Sequence, residues 1–254
     1  MLAWSRLAKK KRIIMPAPIT FTLSDVVDVY DKYYRANYNE MLKRYGVFLK
    51  ENAYDPNVMA EVLLIGNHQA RLNDVKKQHA SACDAIDRLA KAKPWLKTYA
   101  NFEEIYKDVQ CILADINYVK GLTIYDVSLR LAAMFNLWPD KVYLNAGSLE
   151  AAEKLFGKSM KKKSSQVVDK MVFITICIDF NKLRCDEIED LLCVMGHYDV
   201  FSNLSNLDKV KPKGSLCSGG ISLFRSNLLA HKLLEENWGK APIPCNKITT
   251  FLHK

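Results

Sequence analysis

The residue types best suited to chemistry fall in the segment Leu122-Thr-Ile-Tyr-Asp126 and the turn after it. Asp126 and Arg130 are four positions apart, so a helix would place both on one face. A carboxylate at this place suits a general base, or a group that stabilises positive charge on a reacting sugar. The alternative is a helix salt bridge, which contributes only roughly 0.3 kcal/mol. Asp126 and Tyr125 are therefore catalytic candidates, and both interpretations of Asp126 stay open.

A second acidic group stands at Glu187-Ile-Glu-Asp190, where a short helix is predicted to start. Glu187 and Asp190 would share a face, and such carboxylates hold a metal or act as an acid and a base. Equally, acids in a first turn stabilise the positive end of the helix dipole. Glu189 is the catalytic candidate of this group. Cys193 is assigned to packing, because a reactive thiol needs a nearby cation and none is close in sequence.

Further polar residues are candidates for lining a pocket. His68, Gln69 and Arg71 lie in a predicted polar loop. A histidine titrates near neutrality and a glutamine offers both a donor and an acceptor, which suits recognition of a base or a ribose. Simple exposure of a loop histidine is the alternative. Tyr143 and Asn145, in a short irregular segment, complete the predicted pocket.

The cysteines do not indicate a metal site. The chain has seven, an odd count, and no pair has the C-x-x-C spacing of a zinc site. We expect reduced thiols rather than a disulfide framework, and we predict neither a metal nor a cofactor.

The elements that must position these residues are predicted from apolar spacing. Helical periodicity dominates residues 20–200, with predicted helix starts at Ser24, Ser148 and Asp186. A tyrosine stripe on the first helix is predicted to face the core. The apolar run 171–178 has strand length and is predicted as a buried strand or extended core segment. The fold class is therefore mainly α, a multi-helix domain with one candidate strand.

A helix-hairpin-helix, an element that can bind a phosphate, is predicted at residues 111–135. Its tight connection would leave backbone N–H groups unpaired at the start of the second helix, where the helix dipole suits a phosphate. Such contacts position a duplex without reading its sequence. Lys120, Gly121, Thr123 and Arg130 are the nucleic-acid-binding candidates. An ordinary helical turn is the alternative.

The chain resembles a family of uncharacterised bacterial proteins over about residues 24–195. The carriers of the resemblance, in the same order as in the family, are Tyr33-Tyr34, Asn67-His-Gln-Ala-Arg71, Phe102-Glu-Glu104, Leu122–Asp126 with Leu129-Arg130, Lys141–Gly147 and Glu187–Cys193. The family's hairpin region is in turn remotely similar to helix-hairpin-helix DNA glycosylases. The resemblance implies a fold neighbourhood and no particular reaction.

Three departures from the family's pattern fall at the predicted site. The family typically has Gly-Ile-Gly where this chain has Tyr118-Val119-Lys120, and side chains there could block close backbone approach to a phosphate. It typically has His where Asn145 stands, and a richer His/Arg cluster around His68. The resemblance therefore implies a changed substrate or a lost activity.

Charge is unevenly distributed along the chain. The net charge is +9, yet residues 1–15, 158–170 and 203–254 carry +5, +4 and +5, which leaves −5 for the remainder. The predicted organisation is a disordered basic leader (1–19), a helical domain (20–200) and an irregular basic tail (201–254). Met15 is an alternative start.

No stretch is long and apolar enough to span a membrane, and the leader lacks the order of a secretory signal. We therefore expect no membrane partner and a cytoplasmic location. The basic run Lys9–Arg12 offers nuclear import as a weaker alternative.

Three function classes follow. The favoured one is nucleic-acid binding, with DNA as partner and DNA-glycosylase-like chemistry at Asp126. The second is a small-molecule or nucleotide enzyme with a polar pocket around Asp126. The third is a non-enzymatic interaction protein with a degenerate site. An enclosed convergence of the polar candidates, away from basic surface, would favour the second class.

Overall fold

The computed structural model describes residues 20–65, 75–157 and 165–210. These residues are mainly helical, with one small sheet, which confirms the predicted fold class. The helices are, in chain order, α1 (Leu23–Tyr30), α2 (Ala36–Glu51), α3 (Pro56–Ile65), α4 (Val75–Ala92), α5 (Phe102–Ile112), α6 (Gly121–Phe135), α7 (Ala146–Phe156), α8 (Lys170–Ile176), α9 (Cys185–His197) and α10 (Leu207–Val210). None of these helices is long and apolar enough to cross a membrane.

Strands β1 (Lys141–Asn145) and β2 (Ser165–Asp169) form an antiparallel pair in which Val142 lies opposite Val168. Among residues 20–65, 75–157 and 165–210, short 3₁₀ turns connect longer elements at Pro94–Leu96, Ile178–Lys182 and Leu204–Asn206.

A π-helical turn at Asp31–Arg35 joins α1 and α2 into one continuous rod. The rod begins at Thr22, whose hydroxyl accepts from the backbone N–H of Asp25 while the Asp25 carboxylate accepts from Thr22. The predicted tyrosine stripe is confirmed as core-facing, since its members are all buried: Tyr30, Tyr34, Tyr38 and Tyr45. Turns of π-helix commonly mark functional places in helices, and this one carries Arg35 to the site described below.

The apolar interior consists of two clusters that meet at β1. One cluster is formed by helices α2 through α6. The other is formed by α1, β1 and helices α7 through α9. Because side chains alternate along a strand, Tyr143 packs into the first cluster while Val142 and Leu144 pack into the second. The boundary between the two clusters is where the candidate site lies.

The prediction of a strand at 171–178 is wrong. The segment forms α8 and a 3₁₀ turn, because the Asp169 carboxylate accepts from the Met171 backbone N–H and starts a helix there. The run is also not buried: Phe173 faces the core, while Met171 and Ile178 are exposed. Apolar β-branched residues favour a strand only where both faces are covered. The second strand instead precedes this run.

Three predicted helix starts are displaced by two or three residues. Thr22, Asn145 and Arg184 are the N-caps of α1, α7 and α9, so Ser148 lies within the first turn of α7. The start of the predicted irregular tail is helical as far as Val210. Cys111, Cys177, Cys185 and Cys193 are free thiols.

We predict that Gly46→Ala destabilises the fold where α2 crosses α6. A Cβ atom at Gly46 would lie 2.6 Å from the backbone oxygen of Ala133, and such overpacking costs about 1–3 kcal/mol. Urea unfolding measures the loss. The matched control is Gly147→Ala in α7, where the Cβ would lie 3.7 Å from the Cys193 sulfur and stability should be kept or raised. An equal loss in both variants would contradict a tight α2–α6 crossing.

Candidate functional site

Helix α6 places Tyr125 at the centre of an aromatic group. The Tyr125 ring stacks on Tyr143 at 5.4 Å between centroids and meets Phe102 edge-on at 6.0 Å. Tyr125 is only 1% exposed, and its hydroxyl has no hydrogen-bond partner within the described part of the chain. Burial, followed by the fields of Glu189, Asp186 and Asp126, raises the pKa of this phenol well above its ordinary value. Tyr125 is therefore a neutral hydroxyl set among carboxyl groups.

Asp126 and Arg130 form the predicted pair on α6, with Arg130 Nη2 3.8 Å from Asp126 Oδ2. Arg130 is buried, donates from Nη1 to the backbone oxygen of Leu63 at 2.6 Å, and lies over the Tyr45 ring. Burial raises the pKa of Asp126 from 3.8 to about 6 although Arg130 opposes this. The side chain of Asp126 keeps 18% exposure, so its carboxyl is within reach of solvent.

The first turn of α9 is neutralised by arginines. Glu187 accepts from Arg35 Nε at 2.9 Å, from Asn39 Nδ2 at 2.8 Å and from the Arg184 backbone N–H at 2.7 Å. Burial opposes ionisation of Glu187, but these hydrogen bonds outweigh it and lower its pKa. Arg184 also forks onto Asp186 at 3.0 and 2.8 Å. Both carboxylates thus act structurally at this end of the helix.

The next turn of α9 has no such compensation. Glu189 is buried and lies 3.5 Å from the Cys193 sulfur. Burial raises the pKa of Glu189 from 4.5 to about 8; the carboxyls of Asp190 and Asp126 add to the rise, while a hydrogen bond with Ser148 opposes it. Asp190 accepts from the Tyr30 hydroxyl at 2.8 Å, and burial raises its pKa to about 7. Cys193 is a free, partly exposed thiol whose pKa is raised by desolvation, which agrees with its assignment to packing.

Strand β1 carries the other two pocket candidates that the structure describes, Tyr143 and Asn145. The Tyr143 ring belongs to the site through Tyr125, but its hydroxyl donates to Glu103 at 2.7 Å, on the outer side of the aromatic group. Asn145 is buried, and its backbone N–H donates to the Ser148 hydroxyl at 2.9 Å. The Ser148 hydroxyl in turn donates to the Asn145 backbone oxygen at 2.8 Å, so Asn145 is tied to the first turn of α7.

Two of the four nucleic-acid-binding candidates lie at the surface and two are buried. Lys120 is exposed, has extended backbone and begins α6 without a side-chain cap, and Gly121 is partly exposed beside it. Thr123 and Arg130 are buried, so their side chains do not lie where a duplex would contact the hairpin. Tyr118 has a left-handed backbone with φ of 66°, a conformation that glycine adopts without strain.

Other predicted residues lie elsewhere. His68, Gln69 and Arg71 lie outside the described residues. Within the described ranges, no group of three or more His, Cys, Asp or Glu residues has an arrangement that could hold a metal ion.

Sequence reasoning missed the residues that reach the centre from the α1–α2 rod. Arg35 and Asn39 are four positions apart and share a face, a signal that was readable. Tyr30 gives no such signal, since its partner Asp190 is 160 positions away. Ser148 was assigned only to capping.

The site therefore gathers Tyr125, Asp126, Tyr143 and Glu189 at the boundary of the two apolar clusters. Comparison with family models, with curated proteins and with solved structures finds no match.

We predict that Glu189→Gln flattens the dependence of stability on pH. Between its ordinary pKa of 4.5 and about 8, the folded state holds a proton on Glu189 that the unfolded chain has lost. The free energy of unfolding therefore falls as pH rises through this window, by up to about 1.4 kcal/mol per pH unit. Urea unfolding at about pH 5.5 and 8 measures the fall. The amide should make it smaller, and the raised pKa values of Asp190 and Asp126 account for the part that stays.

The control is Glu150→Gln in α7, whose side chain is 72% exposed and should leave the wild-type fall unchanged. Equal falls in the wild-type protein and in Glu189→Gln would contradict a protonated, buried Glu189.

Proposed function

We propose that this protein is an enzyme that moves protons on a small polar molecule, with Asp126 as general base and Glu189 as general acid. The observation that carries the proposal is the convergence of these two carboxyls with unequal pKa values, about 6 and about 8. Between those values Asp126 is ionised and Glu189 is protonated. Environments that separate the pKa values of two nearby acids assign their roles in acid–base catalysis.

Access and burial agree with this division of roles. Asp126 is partly exposed and so can meet a substrate that arrives from solvent, while Glu189 lies deeper beside Tyr125. The unpaired Tyr125 hydroxyl offers a neutral donor or acceptor between them. Buried donors of this kind act strongly on charge that develops during a reaction, because little water screens them.

Charge restricts the substrate. The centre holds more carboxyl groups than cations, and residues 20–65, 75–157 and 165–210 together carry a net charge of −5. The ionised carboxylate of Asp126 would repel a phosphate. We therefore favour a neutral or cationic small molecule over a nucleotide bound through its phosphates.

The test is turnover of a panel of nucleosides, amines, amides and sugars, followed by mass spectrometry, with the wild-type protein, Asp126→Asn and Glu189→Gln. We expect a compound consumed with a bell-shaped pH profile whose limbs lie near 6 and 8, and a loss of about 10²–10⁴-fold in either variant. Glu150→Gln serves as the control. Turnover that neither variant changes, or a flat profile, would sink the proposal.

Nucleic-acid binding is the second candidate, and the exposed, uncapped Lys120 at the start of α6 favours it. A phosphate there would meet free N–H groups and one cation. We predict that duplex DNA binds with an affinity that falls with salt, and that Lys120→Glu weakens it about tenfold at low salt. Fluorescence anisotropy on the full chain measures both.

The matched control is Lys50→Glu, which makes the same charge change at an exposed site on α2. If the two variants weaken binding equally, the hairpin is not the contact and only overall charge matters. If DNA does not bind at low salt, this candidate is excluded.

A further inference from the structure

The π-helical turn at Asp31–Arg35 changes which side chains of the α1–α2 rod share a face. In an uninterrupted α-helix, two residues five positions apart lie roughly 140° apart around the axis, on different faces. A π-turn hydrogen bonds between residues i and i+5, so it holds one residue more than an α-turn, and residues five apart return to nearly the same face. The turn therefore brings Arg35 onto the face of the rod that carries Tyr30.

Both of these side chains contact α9. The Tyr30 hydroxyl donates to the Asp190 carboxyl at 2.8 Å. Arg35 Nε donates to the Glu187 carboxylate at 2.9 Å. Glu187 and Asp190 are three positions apart and share a face of α9. The rod thus meets one face of α9 at two points, and an α-helical turn of the same five residues would aim Arg35 away from Glu187.

Asn39 extends this contact by one further turn of the rod. It follows Arg35 by four positions and lies on the same face. Its Nδ2 donates to Glu187 at 2.8 Å, and its Oδ1 accepts from Arg184 Nη2 at 2.6 Å. Tyr30, Arg35 and Asn39 therefore form one line of polar contacts along the rod. Because these contacts engage the first two turns of α9, they fix the rotation of α9 about its own axis.

The rotation of α9 decides where Glu189 points. Glu189 directly precedes Asp190, so it lies roughly 100° around the helix from the face that meets the rod. In that position Glu189 is buried, and its Oε1 lies 3.5 Å from the sulfur of Cys193 one turn later. A rotation of α9 by one residue would carry Glu189 out of this interior position.

We propose that the one surplus residue of the π-turn sets the register of the rod against α9, and that Tyr30, Arg35 and Asn39 are positioning residues that hold Glu189 in the interior. This role rests on the proposed function, in which Glu189 is the general acid, and it requires no contact between the three side chains and a substrate. A contact that only stabilises the fold would not control the environment of Glu189, so stability and the state of Glu189 are measured separately.

Deletion of Lys32 tests the register. Lys32 is exposed within the π-turn, and its removal leaves Tyr30 and Arg35 four positions apart, which an α-helical turn places on one face. We expect the variant to fold, with a urea midpoint within about 0.5 M of the wild-type value. The control is deletion of Lys43, exposed in the regular part of α2. That deletion rotates the rest of α2 and should lower the midpoint by more than about 1 M or prevent folding.

Arg35→Met and Asn39→Ala test the positioning role. With this contact weakened, α9 should admit water to Glu189, so the pKa of its carboxyl should fall from about 8 toward its ordinary value of 4.5, by about one pH unit or more. The ¹³C signal of this carboxyl in glutamate-labelled protein, followed from about pH 5 to 9 and assigned by its loss in Glu189→Gln, measures the pKa.

The control for these variants is Arg44→Met, which removes an arginine of the same rod that pairs with Glu40 at 3.1 Å. It should leave the pKa of Glu189 unchanged. Deletion of Lys32 should also leave that pKa near its wild-type value, and this readout holds even where Arg35→Met does not fold.

The inference is overturned if deletion of Lys32 is as damaging as deletion of Lys43, or if the pKa of Glu189 stays near 8 in both Arg35→Met and Asn39→Ala while stability falls. If the expected results are obtained but no compound of the panel is turned over, the positioning role stands and the proposed function alone falls. If turnover depends on Asp126 and Glu189 while the pKa of Glu189 ignores Arg35 and Asn39, this inference alone falls.

Discussion

The tie between Arg35 and Glu187 is the contact on which the arrangement of the site depends. It joins the π-helical turn of the α1–α2 rod to the first turn of α9 across 152 positions of chain. Arg35 also pairs with Asp31 at 2.8 Å and donates to the backbone oxygen of Lys182, so one side chain fixes the approach to α9. Removing one partner of a buried pair strands the other charge, which typically costs about 3–5 kcal/mol.

The ion pairs in the first turn of α9 decide which carboxyls of that helix have a raised pKa. Arg184 and Arg35 satisfy Asp186 and Glu187, so the uncompensated charge falls one turn later on Glu189 and Asp190. The same helix thus carries two acidic turns with opposite electrostatic roles. Local geometry, rather than residue type, separates the structural carboxylates from those whose pKa is raised.

The sequence predicted the features that depend on local spacing. Helical periodicity and the tyrosine stripe follow from 3.6-residue spacing, as does the Asp126–Arg130 pair. Features that depend on distant partners were not predictable, such as the hydrogen bond from Tyr30 to Asp190. The strand prediction for residues 171–178 was wrong for a related reason. Their apolar composition favoured a buried strand, but Met171 and Ile178 are exposed and no described element packs over them.

The segment predicted as a helix-hairpin-helix connects α5 to α6, and its role in the structure is to set where α6 begins. Tyr118 takes the left-handed conformation, which glycine adopts more readily than a residue with a side chain, and this fixes the backbone path between α5 and α6. That path sets where α6 begins, and the start of α6 sets which faces Tyr125 and Asp126 occupy. The connection between α5 and α6 therefore bears on the site through the position of α6. The interior beside α6 holds the buried carboxyl of Glu189 and the buried ring of Tyr125, so what this connection positions is an acidic, aromatic interior.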